Sequence, residues 1–83
     1  MQKHRLVLYS NAGCPFCHRV LRVLDELNMD IEIRQTSIPE HRQNLIAGGG
    51  KAMVPCLLIE EPNREQWLYE SLDIIEFLRQ SVN

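Results

Sequence analysis

Two cysteines separated by two residues, Cys14-Pro15-Phe16-Cys17, follow closely on an unbroken apolar run, Leu6-Val7-Leu8-Tyr9. Such a run suits a central strand covered on both faces. From Pro15 to about Leu27 the period changes. Phe16, Val20, Val23, Leu24 and Leu27 recur at spacings of three and four, which predicts a helix with one buried stripe. Pro15 fits the first turn of that helix, where its missing N–H is not needed. Asn28 supplies a stop, and Ile31-Glu32-Ile33-Arg34 alternates as a second strand. Strand, helix and strand within about thirty residues predict a right-handed βαβ unit with parallel strands.

The cysteine pair therefore opens the crossover helix. A thiol there faces unpaired backbone N–H groups and the positive end of the helix dipole. Both favour an anionic sulfur, so Cys14 is expected to be a nucleophile and disulfide exchange is the leading chemistry. Cys17, one turn further in, is expected to be more buried and less reactive.

Pro39 to Ala47 reads as a second helix with a narrow apolar edge, Ile38, Leu45 and Ile46. Gly48-Gly49-Gly50 is expected to stop it and continue as a mobile loop; the alternative is a loop that lets a ligand approach the backbone. Cys56-Leu57-Leu58-Ile59 is a third strand, Glu61-Pro62-Asn63-Arg64 a turn and Gln66-Trp67-Leu68-Tyr69 a fourth strand, which together predict an antiparallel hairpin. Ser71 reads as an N-cap with Asp73 in the first helical turn. Leu72, Ile74, Ile75, Phe77 and Leu78 are the apolar residues of that helix, and Arg79 falls in its last turn. The predicted order is β-α-β-α-β-β-α, an α/β fold with a four-stranded mixed sheet and helices on both faces.

A chain of 83 residues suits one domain, 1–83, with a small core. Its apolar fraction of 45% sets it apart from a disordered segment. A formal net charge of -2 with both signs interspersed offers no surface for nucleic acid or membrane. With no apolar leader and no bilayer-spanning stretch, a cytoplasmic monomer is expected. Three cysteines are too few for a disulfide framework, so the close pair is read as catalytic or metal-binding. Cys56, alone in an apolar run, is read as a small buried side chain.

The element order, together with Cys14-Pro15-Phe16-Cys17-His18-Arg19 after the first strand, resembles the glutaredoxins, a thioredoxin-fold family, over nearly the whole chain. Met53-Val54-Pro55 adds to the resemblance, because a Val-Pro pair with a cis peptide precedes the third strand in that family. Tyr69-Glu70-Ser71-Leu72 is similar instead to the N-terminal glutathione-binding domain of the glutathione transferases. These resemblances imply a glutathione-dependent thiol–disulfide oxidoreductase with Cys14 and Cys17 catalytic. Its substrates would be disulfide-bearing or glutathionylated proteins, with glutathione as co-substrate and no tightly bound cofactor or metal. They also imply a glutathione site made of Phe16, Lys51, Val54, Pro55, Glu70 and Ser71. Val54 would pair its backbone with the extended tripeptide. Ser71 would meet the γ-glutamyl carboxylate, Glu70 the ammonium and Lys51 the glycine carboxylate.

Two departures stand out. Asn11 occupies a position where glutaredoxins often carry a basic residue. The sequence ends at Asn83 without the helical second domain of a full glutathione transferase, so xenobiotic conjugation is not expected. Rival readings start from the same residues. Cys14-X-X-Cys17-His18 matches a c-type haem attachment pattern, against the βαβ context. Cys14 and Cys17 have zinc-like spacing, with Cys56 as a candidate third ligand. A glutathione-ligated iron–sulfur cluster between two chains, or a non-catalytic glutathione-binding module, completes the alternatives.

Overall fold

The structure, a computed structural model, describes residues 5–82. Seven elements follow in the expected order: β1 (Arg5–Ser10), α1 (Pro15–Glu26), β2 (Glu32–Gln35), α2 (Pro39–Gly49), β3 (Cys56–Glu61), β4 (Arg64–Leu68) and α3 (Ser71–Ser81). The sheet order is β2-β1-β3-β4. β1 runs parallel to β2 and antiparallel to β3, and β4 is antiparallel to β3. This is the thioredoxin-like arrangement, with β1 and β3 central.

Period two decides which side each strand residue serves. Leu8, Leu57 and Ile59 face α1 and α3, where they pack with Val20, Leu24, Ile74 and Leu78. Val7, Tyr9, Cys56 and Leu58 face the other way and pack with Leu45 of α2. Both faces of the central strands are thus dry, as their unbroken apolar runs require. The hydroxyl of fully buried Tyr9 accepts a hydrogen bond of 2.7 Å from Arg34 on β2. No helix among the described residues is long and apolar enough to cross a membrane.

Helix ends follow local chemistry. Asn28 adopts a left-handed φ of 55° just beyond the α1 cap Leu27. Its N–H reaches the Asp25 carbonyl at 3.1 Å, and the Met29 N–H reaches Leu24 at 2.9 Å. This is a Schellman closure, and it gives the expected stop its mechanism. At α3 the structure corrects the cap. The Glu70 carbonyl accepts the first helical bond, from the Ile74 N–H at 2.9 Å, so Glu70 is the N-cap and Ser71 is the first helical residue.

The glycine run is the larger correction. Gly48 and Gly49 lie inside α2; only Gly50, with φ 92°, is the left-handed cap. A Cβ on Gly48 would collide with the Trp67 ring, and one on Gly49 with the Tyr69 hydroxyl. Missing side chains let two aromatic residues close against the helix backbone. On helix propensity alone Gly48→Ala would stabilise the chain by about 1 kcal/mol. The overpacking against Trp67 is expected to reverse that sign and cost about 1–3 kcal/mol. A lower urea midpoint with an unchanged slope is the expected result.

Candidate functional site

Asn11 builds the turn that delivers the first cysteine. Its side-chain Oδ1 accepts a hydrogen bond from the Gly13 N–H at 2.9 Å, and its carbonyl accepts from the Cys14 N–H at 3.0 Å. An Asx turn nested in a β-turn fixes residues 11–14 with local bonds. The His18 ring Nε2 lies 2.6 Å from the Ala12 carbonyl and ties the turn to α1 from outside.

Cys14 is the N-cap of α1, and Pro15 takes the first helical position. Cys14 Sγ accepts a hydrogen bond from the Cys17 N–H at 3.3 Å. The sulfur therefore does the capping work usually done by a serine or aspartate oxygen. Cys14 is partly exposed, whereas Cys17 is fully buried at the start of the stripe that continues through Val20 and Leu24. Burial pushes the Cys17 thiol above its ordinary value, and the side-chain hydrogen bond with Cys14 pushes it the same way. The Asn11 backbone and the Ser10 hydroxyl pull against that shift.

Val54–Pro55 is cis, and the Val54 carbonyl lies 3.8 Å from Cys14 Sγ. It can accept the thiol hydrogen while the sulfur is protonated. Phe16, Val54, Pro55, Glu70 and Ser71, far apart in sequence, line one cavity of about 190 Å³ together with Met53 and Tyr69. That is smaller than the roughly 300–1,000 Å³ of pockets that engulf a drug-sized ligand. The cavity suits one end of an extended molecule whose remainder lies along the surface. No side chain caps the first turn of α3, which begins at the cavity wall.

Lys51 is not in the cavity lining; its ammonium sits 5.5 Å from the centre of the Tyr69 ring. The Tyr69 hydroxyl donates to the Lys51 carbonyl at 3.1 Å and accepts from the Lys51 N–H at 3.3 Å. Lys51 therefore meets the cavity through Tyr69. In the sequence Tyr69 reads as a strand residue outside the expected site. The signal for it was the glycine run, which only makes sense beside large rings.

Cys56 stands apart from the close pair. It points to the α2 face of the sheet, in the cluster with Tyr9 and Leu45, whereas Cys17 lies under the opposite face. Among the described residues no group of three or more His, Cys, Asp or Glu side chains is arranged to hold a metal. The candidate third-ligand role therefore has no geometric support.

The fold and the partly exposed first cysteine beside a cis-proline turn define a thioredoxin-fold domain. The model for the glutathione S-transferase N-terminal domain matches residues 8–83, and the chain belongs to that family. It is also 32% identical over 60 residues to glutaredoxin 1 of Rickettsia felis, covering 69% of this chain and 59% of that protein. Among solved structures, maleylacetoacetate isomerase from Anaeromyxobacter dehalogenans, with glutathione bound in its active site, superposes with a TM-score of 0.73 at 27% identity. That match covers 98% of this chain and 39% of the isomerase. Glutathione transferase Omega 2C from Trametes versicolor shares the fold, with a TM-score of 0.80 at 23% identity over 95% of this chain and 38% of its own. The chain thus spans under two thirds of the relatives it matches.

The three thiols are expected to react in order of exposure. Iodoacetamide at neutral pH should label Cys14 alone in the native protein, and all three after denaturation, as read by mass spectrometry. Burial raises the Cys56 thiol from its ordinary value of 9.0 to about 12. Below pH 9 the folded and unfolded chains both hold that proton. Between pH 9 and about 12 the unfolded chain loses it first, so stability falls as pH rises. Cys56→Val should flatten that alkaline fall in melting temperature relative to the parent.

Proposed function

We propose that this protein is a glutathione-dependent thiol–disulfide oxidoreductase of the glutaredoxin type. The observation that carries the reading is the placement of Cys14. The residue is partly exposed, and its sulfur is held by a backbone amide next to the carbonyl of Val54, which lines the cavity with Phe16, Pro55, Glu70 and Ser71. The glutathione in the isomerase relative and the glutaredoxin names of the sequence relatives support the ligand class.

The chemistry is a pair of exchanges. The Cys14 sulfur, as an anion, attacks the glutathione sulfur of a mixed disulfide. A Cys14–glutathione disulfide forms, and the substrate leaves as a thiolate that takes a proton from water. A second glutathione, as its thiolate, attacks the glutathione sulfur on Cys14. Oxidised glutathione departs, and the Cys14 anion is restored. For a protein disulfide, Cys14 attacks one substrate sulfur and expels the other; Cys17, as its thiolate, then attacks Cys14 and releases the second substrate thiolate. Two glutathione molecules reduce the resulting Cys14–Cys17 disulfide and leave as oxidised glutathione. The Cys17 N–H that touches the Cys14 sulfur supports that anion each time it is expelled.

In the bound complex Val54 offers its backbone to the cysteinyl part of the tripeptide. The uncapped amides of α3 and the Ser71 hydroxyl receive the γ-glutamyl carboxylate. Glu70 receives its ammonium. Phe16 and Met53, both exposed, give the cavity an apolar rim. Lys51 acts at a distance, as a charge above Tyr69 available to the glycine carboxylate.

Reduction of hydroxyethyl disulfide, coupled to glutathione reductase, tests the reading. Turnover should require glutathione. Cys14→Ser should abolish it, and Cys17→Ser should retain much of it. Glu70→Gln should raise the KM for glutathione roughly tenfold with little change in kcat, the effect of losing one charged hydrogen bond from binding. An active Cys14→Ser variant would sink the assignment.

A further inference from the structure

Ser10 ends β1 and is the one fully buried polar residue among the described residues. Its hydroxyl has no hydrogen-bond partner in the folded chain. Such a group is destabilising relative to a satisfied one, so an apolar residue would serve the core better. The Ser10 backbone gives no reason for the hydroxyl either. Its carbonyl is already used, by the Thr36 N–H at 2.9 Å and the Thr36 Oγ1 at 3.4 Å.

Strand alternation carries Leu6, Leu8 and Ser10 to the same face of β1, the one covered by α1 and α3. The buried stripe of α1 begins there with Cys17. Leu8 packs against Val20, so Ser10, two residues beyond Leu8, and Cys17, one turn before Val20, share the same end of this layer. A hydroxyl there favours the anionic form of the sulfur. The groups that act on Cys17 are the Cys14 thiol on its own turn, the Asn11 backbone and this hydroxyl from the strand beneath. When Cys14 is tied up in a mixed disulfide its thiol is gone. Asn11 and Ser10 are then the favourable polar neighbours left.

We propose that Ser10 is a positioning residue for the second cysteine: its hydroxyl donates a hydrogen bond to the Cys17 sulfur when that sulfur becomes an anion and attacks Cys14. The step is balanced without a further reactant. The Cys17 thiol gives its proton to water; its sulfur bonds to Cys14 Sγ; the bond from Cys14 to the substrate sulfur breaks; the substrate leaves as a thiolate. Ser10 keeps its own proton throughout. The unpaired hydroxyl is therefore a donor held in reserve for a charge that exists only during resolution. This rests on the dithiol chemistry proposed above.

A single-turnover experiment separates the two ideas. The reduced protein is mixed with excess dithiobis-nitrobenzoate, an aromatic disulfide that releases a coloured thiolate. A first equivalent reports attack by Cys14, and a second reports its displacement by Cys17. Absence of the first phase would count against the redox assignment itself. For Ser10→Ala the first phase should match the parent. Losing one hydrogen bond to a charged sulfur makes that anion harder to form, so less of it is present near neutral pH. The more basic anion is also more nucleophilic, with a Brønsted coefficient of ~0.4–0.5. The second phase should therefore be about threefold slower near neutral pH and overtake the parent at alkaline pH.

Ser10→Thr, which keeps the hydroxyl, should follow the parent profile. Ser10→Ala should also melt at or above the parent temperature, because it deletes an unpaired polar atom. Three results would overturn the proposal. The first is an unchanged second phase. The second is a uniform slowing at every pH, which marks a packing defect. The third is a large fall in melting temperature, which marks a structural hydroxyl.

Discussion

The contact between the Cys17 amide and the Cys14 sulfur organises the rest of the site. At 3.3 Å it makes a sulfur, rather than an oxygen, the cap of α1. That bond depends on the turn before it, which Asn11 closes with both its side chain and its carbonyl. The turn in turn depends on β1, a central strand paired on both edges. A residue at the end of such a strand has little freedom to move. The Cys14 sulfur is thus positioned by the most constrained part of the sheet.

Two periodicities give the three cysteines different properties. Cys14 precedes the first helical residue and stays partly exposed. Cys17 is in phase with Val20 and Leu24, so the helix buries it against the sheet. Cys56 is buried by strand alternation on the opposite face, where its proton is held to high pH. Chemically identical groups are sorted by phase alone into one partly exposed thiol and two buried ones.

Much of this was readable from residue order. The βαβ unit, the hairpin and the last helix follow from apolar spacing, and all seven elements occur where it put them, within a few residues at their ends. Five of the six residues read as a glutathione site, Phe16, Val54, Pro55, Glu70 and Ser71, meet at one cavity. What was not legible depended on tertiary contact. Gly48 and Gly49 look like breakers until Trp67 and Tyr69 are seen against them. Ser71 looks like a cap until the Glu70 carbonyl is found accepting the first helical bond. Asn11 reads as a missing positive charge, although it is the residue that folds the turn. Local propensity names what a residue can do; its neighbours across the fold decide which option is used.

The close seating of Trp67 and Tyr69 on α2 has a consequence for how this sequence can drift. Four positions, 48, 49, 67 and 69, form one steric unit spanning a helix and the end of a hairpin. Bulk gained at either glycine must be given up by the ring facing it. Related chains are thus expected to trade volume between these sites in a correlated way, with small helix residues wherever the rings are large. The pair with Tyr69 links that exchange to the cavity wall, so the shape of the cavity and the packing of the far helix are expected to change together.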